Sequence, residues 1–180
     1  MSSPNIRTNK NKMIALATLA FSILTPTLVL ASNGPQTLDE KVRHQLAMLP
    51  YLSVFDDLSF RVDNGTVTLF GQVTRPVLKN DAAGVVQHVE GVARVDNQIE
   101  VLPLSSFDDQ IRMREFRAIY GGPLARYRMG VIPSIHILVK NGDVTLKGYV
   151  SSPMDKQLAY TRANAVPGVF AVENQIQIDR

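Results

Sequence analysis

The spacing of apolar residues after residue 36 predicts an amphipathic helix followed by two half-buried strands. The apolar residues of the helix recur three or four positions apart; they are Leu38, Val42, Leu46 and Leu49. Thr37 is placed to cap the first turn, and Pro50 is expected to end the helix. Alternating apolar and polar residues then predict two strands joined by Asn64-Gly65, because this pair favours a tight turn with positive φ at both residues.

A second helix and a last strand complete this unit. Pro76 suits the first turn of the helix, where its missing N–H leaves no hydrogen bond unmade, and Gly91 is expected to end the helix. The apolar stripe of this helix is formed by Leu78, Ala82, Val85 and Val89. Residues 92–101 are predicted to form the final strand, so the order is helix, strand, strand, helix, strand.

The pattern of this unit returns 77 residues later. Residues 64–73, with the sequence NGTVTLFGQV, return as residues 141–150, with the sequence NGDVTLKGYV, and seven of the ten positions are identical. Residues 91–99 return as residues 168–176 at the same offset. Two separate matches that share one spacing indicate a duplicated structural unit.

The second unit is predicted to follow the same order. Its first helix starts at Asp108 and Asp109 and ends before residues 121–123, which are Gly-Gly-Pro. Ser152 is placed to cap the second helix, with an acidic residue three positions later as in a capping box. The stretch from Gly121 to Pro133 is longer than its counterpart in the first unit, so we expect an extra turn or loop there.

Both units repeat a strand glycine and a strand asparagine. Gly71 and Gly148 occupy the same strand position, where a crossing helix or a bulge that bends the strand is the expected reason. Asn97 and Asn174 lie among apolar strand residues, and we expect their side-chain amides to bond the backbone of a turn or an edge.

The first 31 residues have the pattern of a secretory signal peptide. Residues 1–12 carry three basic residues and no acidic one, and residues 13–24 are almost wholly apolar. The small side chains at Val29 and Ala31 favour cleavage after Ala31, which predicts an exported protein. The alternative is an uncleaved inner-membrane anchor, because the apolar stretch has about the minimum length that spans a bilayer. The predicted domains are a signal peptide at 1–31 and two units at 37–102 and 107–179.

The predicted fold class is α+β, with two repeated αββαβ modules. Each module is expected to be a small three-stranded mixed sheet packed against two helices. The joining segment between the modules is short and contains Pro103. With so few linker residues, the two units are expected to pack on each other in a restricted orientation.

Removal of the leader changes the charge balance. The chain has 19 basic and 16 acidic residues, and three of the basic ones lie in the leader, which leaves 16 of each. This charge balance does not favour nucleic-acid binding, and no nucleic acid is expected as a partner. The chain has no cysteine, so it has neither a disulfide framework nor a site for lipid attachment at cysteine.

The repeated motifs resemble those of tandem BON domains, which are small α/β modules of bacterial envelope proteins. Residues 67–71 and 144–148 carry a Val-Thr-Leu-x-Gly strand, and residues 91–99 and 168–176 carry the second strand motif. The resemblance implies a periplasmic location, binding to phospholipid surfaces or envelope proteins, and a role in envelope integrity or stress response. No catalytic residues are defined for the family, so none are carried over.

The sequence offers no constellation that indicates an enzyme. His44, His88 and His136 have no metal-ligand spacing, and no serine lies in the glycine frame of a nucleophile elbow. The Gly121-Gly122 pair is not followed by the Lys-Ser/Thr of a phosphate loop. We therefore expect a non-enzymatic protein with no metal and no cofactor.

The candidate binding surface is the first helix of the second unit together with the insertion that follows it. Five arginines fall within seventeen residues and are opposed only by Glu115, with aromatic residues between them. Basic and aromatic residues around an apolar ridge suit anionic headgroups in a peripheral membrane contact. In the alternative, the aromatic residues fill the contact between the units and the arginines form a solvated rim. The candidate residues for lipid or partner binding are Arg112, Arg114, Phe116, Arg117, Tyr120, Arg126 and Arg128.

Overall fold

The computed structural model describes residues 36–130 and 133–179, so the predicted signal peptide lies outside the described residues. These residues belong to one compact unit. Their helices are α1 (Leu38–Ala47), α2 (Pro76–Gln87), α3 (Ser106–Tyr120) and α4 (Pro153–Asn164), with a 3-10 helix at Pro123–Arg128. Their strands are β1 (Asp57–Asp63), β2 (Thr66–Val73), β3 (Arg94–Asn97), β4 (Glu100–Val101), β5 (Ile135–Lys140), β6 (Asp143–Val150), β7 (Ala171–Asn174) and β8 (Gln177–Ile178).

The two predicted αββαβ modules are present and share one topology. In the first module β1 pairs antiparallel with β2, and β3 and β4 pair with β2 in parallel. The second module repeats this arrangement with β5, β6, β7 and β8. Each Asn-Gly turn has positive φ at both residues, as the tight hairpin requires. The α+β fold class predicted from the sequence is therefore confirmed.

The last strand of each module is broken into two pieces, whereas the sequence predicted one strand over residues 92–101. Asn97 causes the break in the first module, because its Oδ1 accepts from the N–H of Ile99 at 3.2 Å. Its Nδ2 donates to the carbonyl of Lys79 in α2 at 2.7 Å. Asn174 repeats both contacts in the second module. The amides do bond backbone as expected, but one partner is a helix carbonyl, so each asparagine ties the last strand to the helix above it.

Glycine is required at positions 71 and 148 by a close approach of the neighbouring backbone, whereas the sequence predicted a crossing helix or a bulge at both positions. Gly71 has φ of +122° and Gly148 has φ of +108°. Residues that carry a side chain rarely adopt this backbone conformation. A Cβ on Gly71 would lie 2.0 Å from the carbonyl oxygen of Asp57, and one on Gly148 would lie 1.9 Å from that of Ser134. The neighbouring strand therefore excludes any side chain at either position.

The helix starts follow the predicted capping chemistry in three of the four helices. Thr37 forms a capping box with Glu40, Pro76 opens α2, and Ser152 accepts from the N–H of Asp155. The exception is α3, which starts at Ser106 because Ser105 caps it. The predicted starting residue, Asp108, is buried and accepts instead from the N–H groups of Asn141 and Gly142 in the β5–β6 turn, at 3.0 and 2.8 Å.

The stretch after α3 forms an extra turn, as its length predicted. This turn is the 3-10 helix, and Tyr127 anchors it on the rest of the second module. The hydroxyl of Tyr127 donates to Asp155 at 2.8 Å and accepts from the N–H of Ser151 at 2.8 Å. Tyr127 and Leu124 are buried in the second hydrophobic core, so the insertion is part of that core.

The two modules pack on each other through the segment that precedes β1. Val54 belongs to the core of the second module although it lies in the first. Its carbonyl accepts from the N–H of Ile137 at 2.8 Å. Phe55 meets Phe116 edge to face, with ring centroids 6.3 Å apart. Ion pairs between Lys147 and Asp57 at 2.9 Å and between Lys140 and Glu100 at 2.6 Å add to the contact.

Candidate functional site

Arg112 is not on the predicted binding surface. It is 4% exposed, and its guanidinium donates to the carbonyl of Val139 at 2.6 Å and to the carboxylate of Asp109 at 2.6 Å. Burial of a guanidinium is costly unless its donors are paired. The helix carboxylate and the strand carbonyl pair the two Nη groups, while Nε is buried without a partner in the described residues. Arg112 therefore links α3 to β5, and its assignment to a binding surface is corrected.

The two aromatic candidates on α3 also face the protein interior. Tyr120 is 4% exposed, and its hydroxyl donates to the carbonyl of Ile135. Burial raises the pKa of the Tyr120 hydroxyl above its usual value. Phe116 is half-buried against Phe55 of the first module. The geometry agrees with the alternative in which aromatic residues of α3 fill internal contacts, and Tyr120 is removed from the candidate surface.

Arg126 and Arg128 lie on the 3-10 helix, and Arg126 is engaged there. Its guanidinium contacts the carboxylate of Asp155 at 2.6 Å and the carbonyl of Pro123 at 2.7 Å. Hydrogen bonds from Ser152, Tyr127 and Arg126, that from Ser152 first, hold the pKa of Asp155 below its usual value. Arg128 is exposed. These contacts hold the 3-10 helix against α4, so the main role of Arg126 is structural.

Arg114 and Arg117 are the two candidates that do come together on the surface, and the structure adds Arg162 from α4. The three guanidinium groups border a shallow pocket of about 490 Å³, which we call the arginine pocket. Arg114 donates to the carbonyl of Pro167 at 3.0 Å, and Arg162 donates to that of Ala118 at 2.8 Å. In the described residues, no acidic side chain lines the pocket. Its floor is formed by Ala118, Ala165, Val166 and Pro167.

An exposed aromatic pair borders this pocket. Phe107 is 43% exposed and Phe170 is 74% exposed, and their ring centroids are 6.0 Å apart. A Cβ placed on Gly168 would lie 3.5 Å from the ring of Phe107 and 3.6 Å from the guanidinium of Arg114. The aromatic pair and the cationic rim are therefore adjacent on one surface of the second module.

The equivalent groove of the first module has different chemistry. The buried stripes align Val42 and Leu46 of α1 with Ile111 and Glu115 of α3, 69 positions later. At this offset Arg114 and Arg117 correspond to Gln45 and Met48. At the 77-residue offset that relates the second helices, Arg162 corresponds to Val85. That groove, of about 800 Å³, is lined by both signs of charge, including an ion pair between Lys41 and Glu90 at 2.9 Å. The arginine pocket is thus a property of the second module alone.

Sequence reasoning missed Arg162, Phe107 and Phe170. Arg162 lies on a different helix, and only the packing of α3 against α4 brings it to Arg117. Phe170 follows the turn after α4 and approaches the hairpin turn, where it would meet a Cβ on Gly142 at 2.6 Å. The sequence held one usable signal, which was two large aromatic residues outside the predicted apolar stripes.

The described residues show no group of three potential metal ligands. His136 lies in the contact between the modules, where its Nδ1 is 2.6 Å from the carbonyl oxygen of Asp56. Across residues 36–130 and 133–179, no helix combines the length and the apolar character that a bilayer span requires.

The arginine pocket offers cationic hydrogen-bond donors beside an apolar floor, which is the chemistry of an anion-binding surface.

The architecture is a duplicated α+β module. The BON domain family model matches residues 36–103 and 130–180, and the chain belongs to that family. The resemblance seen in the repeated motifs is thereby confirmed, and family membership supports an envelope-associated protein. The second match begins at residue 130, so α3 and the whole 3-10 helix lie outside the matched residues.

Two solved structures are similar to this chain. One is of CdsD, a structural protein of the Type III secretion system of Chlamydia trachomatis, with 13% identity, a TM-score of 0.33, and coverage of 79% of this chain and 92% of that chain. Another is of the C-terminal domain of CdsD, with 14% identity, a TM-score of 0.29, and coverage of 82% and 100%. No curated protein matches the chain.

Proposed function

We propose that this protein is a non-enzymatic periplasmic protein that binds anionic phospholipid surfaces through the arginine pocket and supports envelope integrity. The main support for the proposal is that three arginines, an apolar floor and an exposed aromatic pair lie together on one surface. Guanidinium groups bind phosphate oxygens through paired N–H donors. The aromatic pair supplies rings that insert at the boundary between headgroups and acyl chains.

The charges of the pocket set the expected strength of binding. Each arginine near an anionic surface contributes about 1 kcal/mol, and this contribution is screened by salt. Arg117 has the largest share, because no hydrogen-bond or ion-pair partner is recorded for it within the described residues. Arg162 is half-buried and bonds Ala118, so its replacement would also disturb the packing of α3 on α4.

The test compares vesicle binding of two double variants of residues 32–180. In Arg114→Gln/Arg117→Gln the pocket loses two charges, and we expect binding to vesicles of phosphatidylglycerol and phosphatidylethanolamine to weaken about 10- to 30-fold. The control, Arg61→Gln/Arg75→Gln, removes two exposed arginines of the first module that lie over aromatic rings. This control has the same net charge, so it isolates position from charge.

Three results would contradict the proposal. One is equal binding to anionic and to phosphatidylcholine vesicles, and another is equal loss of binding in the two double variants. The third is binding that does not fall between 50 and 300 mM salt. A further variant, Phe170→Ser, removes the more exposed ring and is expected to weaken binding without changing its salt dependence.

The alternative function is that of a protein-interaction adaptor in an envelope complex, without direct lipid binding. One structural observation favours it: β1 is the edge strand of the first sheet, with β2 as its neighbour. The adaptor function predicts a specific co-purifying partner and no vesicle binding. The vesicle assay therefore separates the two functions, because only the lipid-binding function predicts a difference between the double variants.

A further inference from the structure

The outer strand of each hairpin presents three residues to the sheet edge. In a two-residue hairpin the residues that close the turn bond each other, so every second residue of the outer strand points its N–H and C=O away from its partner. For β5, closed by Lys140 and Asp143, the outward residues are Ile135, Ile137 and Val139. For β1, closed by Asp63 and Thr66, the outward residues are Leu58, Phe60 and Val62.

The edge of β5 is covered within the chain. The carbonyl of Ile135 accepts from the Tyr120 hydroxyl. The N–H of Ile137 donates to the carbonyl of Val54 at 2.8 Å, and the carbonyl of Val139 accepts from Arg112 at 2.6 Å. These contacts act as a partial additional strand, in which Val54 supplies the backbone acceptor and places its side chain in the core.

The equivalent backbone groups of β1 have no hydrogen-bond partners of this kind. Within the described residues, the carbonyl of Leu58, the N–H of Phe60 and the carbonyl of Val62 have no hydrogen-bond partner. Arg43, which follows the buried Val42 as Arg112 follows Ile111, does not reach the strand. Its guanidinium lies instead over the Phe60 ring, 5.5 Å from the ring centroid. An uncovered edge of this kind is a template for pairing with another chain.

The β1 edge borders a crevice of about 680 Å³ between the two modules. The wall from the first module combines apolar side chains, among them Leu46, Leu52 and Phe60, with charged ones such as Arg43. The opposite wall belongs to the second sheet and includes Tyr149 and Gln175. The crevice is continuous with the interface already described, because the His136 and Lys147 contacts form part of its lining.

We propose that the β1 edge is a peptide-binding site that takes an extended segment of a partner protein by β-strand addition. The segment carries an apolar residue of the size of valine, whose carbonyl accepts from the N–H of Phe60. The precedent is the segment at Val54, which occupies the equivalent place on β5 in the same molecule. Main-chain hydrogen bonds give such a site its affinity. The apolar side chains of the crevice select every second side chain of the bound segment. This site is independent of the arginine pocket.

The first measurement is amide hydrogen exchange in the mature chain, residues 32–180. The N–H of Ile137 is bonded to Val54, whereas that of Phe60 is open, so the Phe60 amide is expected to exchange at least 100-fold faster. Equal protection of the two amides would overturn the proposal, because the β1 edge would then be covered. This result needs no ligand and no variant.

The second measurement uses a synthetic peptide with the sequence of residues 52–57, the natural cover of β5. Saturable binding that protects the Phe60 amide is expected. Protection of Ile137 instead, or self-association of the chain through β1 in place of peptide binding, would overturn the proposal.

A matched pair of variants isolates the Phe60 N–H. Phe60→Pro removes the donor without removing a bond to β2, since proline is tolerated on an edge strand when its nitrogen faces outward. Phe60→Ala keeps the donor and loses the same ring. We expect the proline variant to bind the peptide at least tenfold more weakly than the alanine variant. Equal binding by two folded variants would overturn the assignment, and if Phe60→Pro does not fold, the exchange measurement decides alone.

Discussion

Replacement of Glu115 by leucine is expected to stabilise this protein. Glu115 is fully buried in α3, and neither of its carboxylate oxygens has a hydrogen-bond partner in the described residues. The equivalent residue of the first module is Leu46, which is 6% exposed and belongs to the first core. The duplication thus provides a natural design for Glu115→Leu, because the same fold already accepts leucine at this position.

The pH dependence of stability follows from the pKa of this group. Burial raises the pKa of Glu115 from 4.5 to about 8, so between these values the folded state binds more protons than the unfolded state. Stability contributed by the bound proton is present below pH 4.5 and is lost as pH rises toward 8. One pKa unit corresponds to about 1.4 kcal/mol, so the free energy of unfolding should fall by about 3 kcal/mol between pH 5 and pH 8.

The neutral form carries a cost as well, because an unpaired buried polar group costs about 1–3 kcal/mol. At pH 5 the leucine variant should therefore be more stable than the parent by about 1–3 kcal/mol, and its advantage should grow toward pH 8. The assay is urea denaturation followed by circular dichroism at half-unit steps of pH. The slope with urea should stay constant if both states remain equally compact.

Two controls separate titration from packing. Glu115→Gln keeps the shape and removes the titration, so its pH profile should be flatter than that of the parent without the gain from apolar burial. Leu46→Glu places the unpaired carboxylate in the first core and should destabilise the protein most at high pH. The reasoning would be refuted by a leucine variant that is less stable than the parent at pH 8, or by a parent whose stability rises between pH 5 and pH 8.

Two further predictions concern the backbone and the insertion. Gly148→Ala and Gly71→Ala should each cost more than about 3 kcal/mol in urea denaturation, because a carbonyl lies within 2.0 Å of the new Cβ. Gly84→Ala, with open space and a helical backbone, should instead gain up to about 1 kcal/mol, and a loss there would contradict the explanation. Asp155→Ala should release the 3-10 helix and raise its cleavage rate by trypsin. The pKa of Asp155 is lowered, so its contribution to stability should be present at pH 7 and lost as pH falls through the folded-state pKa, and an unchanged cleavage rate would contradict the anchoring role of Tyr127.

The duplicated fold was predictable because its signals are local. The Asn-Gly turns need positive φ, Thr37 and Ser152 need only the first turn of their own helices, and Pro76 is suited to a helix start. The Asn-Gly turns and the helix-start proline repeat at an offset of 77 residues, so the duplication is visible without long-range information. The predicted start of α3 was wrong because Ser105 caps the helix, while the carboxylate of Asp108 accepts from N–H groups of the distant β5–β6 turn.

The site was less predictable because it depends on contacts between distant segments. A helical projection separates Ile111 from Phe116 but cannot show that both sides of α3 are covered, one by its own sheet and the other by Phe55. The burial of Arg112 depends on the carbonyl of Val139, which no sequence pattern reveals. The signal that could have helped was the alignment of α1 with α3, since it identifies Glu115 as a charged residue at a core position.

The second module has replaced apolar packing with buried polar links. Leu78 of the first module is fully buried, and its counterpart in the second is Asp155, which holds the 3-10 helix. Arg112 likewise fastens α3 to β5, whereas Arg43 lies on the surface of the first module. Buried polar groups contribute less to stability than apolar packing but fix one geometry when they are paired. These links hold α3 and α4 in the register that brings Arg114, Arg117 and Arg162 together.

The replacement of apolar packing by buried polar contacts in the second module also explains why the two modules expose different surfaces. In the second module, Tyr120, Arg112 and Val54 use the outward groups of β5, so its edge is closed and its helices carry the charged surface. In the first module the helices carry no such surface, and the edge at Phe60 stays open. If one duplicated fold has divided its tasks in this way, Arg114→Gln/Arg117→Gln should leave peptide binding unchanged. Phe60→Pro should likewise leave vesicle binding unchanged, and coupling between the two sites would show that the modules act as one.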